Sequence, residues 1–165
     1  MFKLSFLSLL LVSSFASAEE ARRANAHVHG LNNLSMVISQ NQVAITYEMP
    51  IVQLFDEHDE HDEPTLSDES LAEFQNYSQL FALPESANCD LVSFESGLHN
   101  VSTEGDHKDV ELAYEFSCNE PSQLKSITIN AFNRFSELET LNFEAVINNK
   151  AITKSLKSDV NKVIF

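Results

Sequence analysis

Glycine is scarce in this chain, with three residues in 165, and only two cysteines, four prolines and ten basic side chains accompany it. Each shortage excludes something. So few glycines leave no loop able to cradle a phosphate. No His-Glu-x-x-His helix and no Gly-x-Ser-x-Gly elbow occurs, and the short His-Val-His motif lacks the downstream Asp-His of a metallo-β-lactamase-type hydrolytic site. The chain is therefore expected not to be an enzyme. Ten Lys and Arg face 25 Asp and Glu, which removes any electrostatic reason to seek nucleic acid or anionic lipid. Past the N-terminal run, no stretch approaches the ~20 consecutive apolar residues of a transmembrane helix, so no membrane insertion is expected. There is also no Gly/Pro-rich linker and no internal repeat, which suits a single domain at this length.

What is present begins with a leader. Lys3 precedes a mostly apolar run from Leu4 to Phe15 that ends in Ala16, Ser17 and Ala18. Residues 1–18 read as a secretory signal peptide cleaved after Ala18, with one domain over 19–165 in an oxidising compartment. Cleavage removes one basic residue and no acidic one, leaving nine against 25 and a net charge of −16. Such a domain attracts cations. Cys89 and Cys118 are an even count at moderate spacing in an exported chain, which favours one disulfide. Closing that loop stabilises by about 3 to 4 kcal/mol in the chain-entropy model. Two free buried thiols are the alternative. An oxidised pair would leave any metal to nitrogen and oxygen ligands.

Residues 34–38 and 43–49 read as a hairpin, the second strand alternating through Val43, Ile45, Tyr47 and Met49, with Gln40, Asn41 and Gln42 between them. The acidic run from Asp56 to Glu63, closed by Pro64, reads as a loop. From Ser67 to Phe81 the period becomes helical, with Leu71, Phe74, Ser78 and Phe81 on one side and Ser67 as N-cap. Six further strands follow, over 89–94, 110–118, 126–132, 141–147, 151–156 and 160–165. Val110, Leu112, Tyr114, Phe116 and Cys118 share one face of the second of these. Asn148 and Asn149 suit a tight hairpin. The expected fold is α+β: a predominantly antiparallel sheet of about eight strands, one main α-helix packed on it, and a single disulfide.

All six histidines lie past the leader. His27 and His29 flank Val28, so an extended backbone projects both imidazoles to one face, near enough to share an ion, and Gly30 lets the chain turn away. The plainer reading is a pair of surface histidines near a new terminus. His58 and His61 stand three apart among Asp56, Glu57, Asp59, Glu60, Asp62 and Glu63, where carboxylates offer oxygen ligands but also favour imidazolium. A solvated acidic loop with no specific ligand is the alternative there. His107 and Asp109 open the strand that ends in Cys118, with His99 on the preceding segment. Three such ligands would leave one position of a tetrahedral zinc site open.

The order of these parts resembles a known family. The leader is followed by Ala26-His27-Val28-His29-Gly30 and Leu34, then by Leu54-Phe55 leading into acid and His58. Next come Leu80-Phe81-Ala82-Leu83-Pro84, Cys89, then His107-Lys108-Asp109 with Tyr114, Phe116 and Cys118, and finally Phe132-Asn133-Arg134-Phe135. This resembles the ZrgA-like family of zinc-regulated periplasmic proteins over nearly the whole exported chain. The resemblance implies a periplasmic protein that binds Zn2+ reversibly and assists its uptake through an ATP-driven importer. It carries over to His27, His29, His58, His107 and Asp109. Many relatives resemble one another in a long His-rich run before the His-x-Asp; here residues 97–106 hold only His99, and the loop with His58 and His61 stands in that role. Copper or nickel suits the same nitrogen ligands. From another class, an envelope interaction or assembly module would carry these histidines incidentally.

Overall fold

The computed structural model describes residues 30–54, 71–100 and 108–165, the side chains of 98–100 and 108 excepted. The expected leader, His27, His29, His58, His61 and His107 lie outside the described residues.

Among the described residues, nine strands form two sheets. They are β1 (Leu31–Ser39), β2 (Gln42–Pro50), β3 (Phe81–Ala82), β4 (Cys89–Asn100), β5 (Lys108–Cys118), β6 (Ser126–Ile129), β7 (Thr140–Ile147), β8 (Lys150–Leu156) and β9 (Lys162–Ile164). The larger sheet runs β4-β5-β2-β1-β7-β8 and the smaller β3-β6-β9. All pairings are antiparallel except β1 with β7, which run parallel from Leu31 opposite Thr140 to Ile38 opposite Ile147.

Strict alternation assigns the faces of the larger sheet. Leu34 and Met36, then Val43, Ile45, Tyr47 and Met49, then Val110, Leu112, Tyr114, Phe116 and Cys118 are all buried, with Leu141, Phe143 and Ala145 completing the row on β7. The smaller sheet covers this face with Phe81, Ile127, Ile129 and Val163. The two meet through aromatic rings, Phe81 lying edge-on to Tyr114 at 5.3 Å and Tyr77 edge-on to Phe116 at 4.8 Å. Asn148 and Asn149 turn β7 into β8 with φ of 51° and 62°, the left-handed pair that a two-residue hairpin needs.

Among the described residues the expected main helix is not there, and the fold is not α+β but mostly β in two sheets. Ser67–Ser70 lie outside the described residues. Leu71 and Ala72 are helical, but the chain then tightens into 3-10 turns at Glu73–Gln75 and Tyr77–Gln79 and enters β3 at Phe81. The reason is in the spacing. Leu71, Phe74, Tyr77 and Leu80 recur every third residue, the period of a 3-10 helix rather than the 3.6 of an α-helix. The Phe74 carbonyl accepts a bond from the Tyr114 hydroxyl at 2.8 Å, taking an oxygen that an α-helix would have bonded within itself. Besides Leu71 and Ala72, the α-helix among the described residues is one turn, α1 (Ala131–Arg134), which also ends the expected strand 126–132 early at Ile129.

Cys89 and Cys118 are joined, directly opposite each other where β4 begins and β5 ends. The expected disulfide is present, and neither sulfur is left as a metal ligand.

Candidate metal centre

Strand register decides which chain ends meet. Asn33 on β1 lies opposite Glu48 on β2, Pro50 on β2 opposite Asp109 on β5, and Asp109 opposite His99 on β4. The start of β1, the end of β2, the end of β4 and the start of β5 therefore line one end of the larger sheet. Cys89 and Cys118 close the opposite end of the β4–β5 pair.

Gly30 sets how β1 enters. Its φ is 81°, and a Cβ there would fall 2.7 Å from the Glu137 carbonyl oxygen. Its own carbonyl accepts hydrogen bonds from the backbone N–H groups of Glu139 and Thr140, both at 2.9 Å. Glycine is required here because the turn before β7 passes against the backbone, a structural reason beyond the turning role expected from its place after His29.

Two residues at this end escaped sequence reasoning. Asn32 is wholly buried and its amide nitrogen donates to the Tyr47 hydroxyl at 2.6 Å. Burial pushes the Tyr47 phenol far above its ordinary value, with the Asn32 bond opposing in part. Burial does the same to Tyr114, reinforced by the neighbouring Tyr47. Both phenols are therefore neutral packing groups. The 3-10 turn Ile51–Leu54 continues from β2 and packs on β5, and both polar ends of the Gln53 amide are buried there with no hydrogen-bond partner among the described residues. No periodicity marks a buried amide in a short turn, so only the folded chain reveals Gln53. Asn32 carried a weak signal, as a polar residue in phase with Leu34 and Met36.

Carboxylates gather on the outer face of the same end. Glu48 and Glu111 are directly opposite each other, and Asp109 precedes Glu111 on the same side of β5. All three are half-buried. Each of the three makes a further polar or electrostatic interaction in the folded chain. Among the described residues, no three His, Cys, Asp or Glu side chains stand together as a group able to hold a metal. Of the seven expected ligands, Asp109 is placed with its side chain and His99 by its position in β4; the other five lie outside the described residues. The structure thus brings His99 and Asp109 to adjacent strands. Among the described residues, no helix is long and apolar enough to cross a membrane.

A family model described as "ZrgA family zinc uptake protein" matches residues 26–165. No curated protein matches the chain. The match covers well over half of the sequence, and the chain belongs to the ZrgA family of zinc uptake proteins.

Proposed function

We propose that this member of the ZrgA family is an exported, non-catalytic protein that captures Zn2+ in the periplasm and passes it to a component of an ATP-driven importer. Zinc is its cargo. The ligands are drawn from His27, His29, His58, His61, His99, His107 and Asp109.

One observation carries this reading: the segments bearing the histidines leave or enter the described fold at one end of the larger sheet. His29 is two residues before Leu31, and His107 is two residues before Asp109. Two extended residues reach at most ~7 Å, while β1 and β5, separated by β2, stand ~10 Å apart. Imidazoles from both segments are therefore within range of a shared ion. His99 lies opposite Asp109, and His58 is four residues past the turn that packs on β5. The net charge of the whole chain, −15, favours a divalent cation over an anion.

Imidazole binds a metal only when deprotonated, so affinity should fall as pH drops below about 6.5. Calorimetric zinc titration at about pH 7.5 and about pH 5 tests this, and equal affinity on both sides of that value would reject imidazole coordination. Joint replacement of His27 and His29 by alanine is expected to lower affinity or stoichiometry. Titrations that match the wild type would favour an envelope interaction module with incidental histidines.

A further inference from the structure

The far edge of the larger sheet has a different character. Among the described residues, β8 has a neighbour, β7, on one side only. Ile147 and Lys150 flank the two-residue turn and form a hydrogen-bonded pair. Alternation then points the backbone groups of Lys150, Ile152 and Lys154 towards β7, and those of Ala151, Thr153 and Ser155 outward. The outward groups are a template for another strand.

β8 itself holds Lys150 and Lys154 and no acid, while the chain as a whole is strongly acidic. Residues 145–165 hold Lys150, Lys154, Lys157 and Lys162 against the single acid Asp159. Residues 19–144 hold the other 24 of the 25 acids and five basic residues. All four lysines are exposed. The opposite edge, β4, carries Asp90 and Glu95 and is interrupted by a bulge between Leu91 and Ser93, which discourages strand addition.

Lysines on an edge strand ordinarily guard against pairing. Here the guard is selective. A second copy adding antiparallel about Ile152 would set Lys150 against Lys154, and like charges directly opposite repel. An extended strand with carboxylates at alternate positions turns the same lysines into cross-strand attractions. An anionic lipid surface would use the charge but leave the open backbone groups unanswered. We propose that the outer edge of β8 docks an extended acidic segment of a partner polypeptide, which adds as a seventh strand with its carboxylates beside Lys150 and Lys154.

This holds whether or not the zinc reading does. The probe is a fluorescein-labelled octapeptide alternating glutamate with valine, titrated with the full chain and read by anisotropy. Saturable binding is expected. Lys150→Glu with Lys154→Glu should weaken it by about tenfold or more and create binding to the lysine-valine counterpart. Thr153→Pro, which removes one outward N–H and no charge, should weaken it as well, with the thermal unfolding midpoint checked in parallel. Three results would overturn the proposal. The wild type binds no peptide, while Lys150→Gln with Lys154→Gln self-associates, so the lysines are only a guard. Phosphatidylglycerol vesicles bind as well as the peptide and Thr153→Pro changes neither, so charge alone acts. The charge-reversed variant keeps its preference for the glutamate peptide.

Discussion

The two ends of the β4–β5 pair are built from the same strands yet made for different work. At one end Cys89 and Cys118 are covalently joined, and Cys118 is buried beside Phe116 and Tyr114. At the other, His99 faces Asp109 and the neighbouring positions hold Glu111 and Glu48. The first end contributes stability. The second brings carboxylates and candidate ligands onto adjacent strands. In the proposed function, the zinc-binding end is thereby kept apart from the stapled end by the length of the β4–β5 pair.

The largest effect should come from the stapled end. Replacing both cysteines by alanine is expected to lower unfolding free energy by about 3 to 4 kcal/mol, read by urea titration. Zinc affinity of the molecules that remain folded should stay within about twofold, because a difference of that size is only ~0.4 kcal/mol. A large loss of affinity would show that the two ends are not independent.

Next is Gly30→Ala, at the entry of β1. Positive φ and the 2.7 Å approach to the Glu137 carbonyl act together, for an expected loss of about 2 to 3 kcal/mol in the same titration. Unlike the cysteine pair, this change should also weaken zinc binding, because it displaces the segment carrying His27 and His29. Unchanged stability would mean that the turn before β7 gives way easily.

Tyr114→Phe probes the buried face shared by both ends. It leaves the Phe74 carbonyl without its donor, at a cost of about 1 to 2 kcal/mol near neutral pH. The pH sign is distinctive. Because burial raises the folded pKa of Tyr114 and Tyr47, their contribution is complete below about pH 10, where the unfolded phenol begins to ionise, and is lost as pH rises further. The wild type should therefore lose stability above about pH 10, and the variant should lose less. Parallel alkaline unfolding curves would contradict this.

The smallest effect belongs to the charged end. Gln53→Met replaces an amide whose two polar ends are buried with no partner among the described residues, so stability should rise by about 1 kcal/mol. A loss in thermal unfolding would show that the amide is satisfied after all.

Strands were the legible part of the sequence. Alternation in Val43–Met49 and Val110–Cys118 appears in the folded chain, with every second residue from Val43 and from Val110 buried. The disulfide followed from compartment chemistry, and Asn148-Asn149 from turn chemistry. The main helix failed because a three-residue spacing over Leu71–Leu80 passes for helical periodicity until the Tyr114 hydroxyl, forty residues away, is seen to claim the Phe74 carbonyl. The parallel pairing of β1 with β7 was illegible for a related reason: it joins residues 109 apart in sequence, as Leu31 and Thr140 are, and no local pattern encodes such a partner. For the candidate site, His99 and Asp109 could be named from residue type, while their alignment across β4 and β5 required the register.

The central claim is that ligands from separate segments share an ion at the end of the sheet lined by Leu31, Pro50, Asp109 and His99. A zinc-loaded crystal measured on both sides of the zinc absorption edge tests it directly. The account predicts an anomalous peak at that end, coordinated by imidazoles from at least two of the segments that meet there. A zinc-saturated protein with its peak elsewhere, or with His27, His29 and His107 apart and no ion among them, would contradict it.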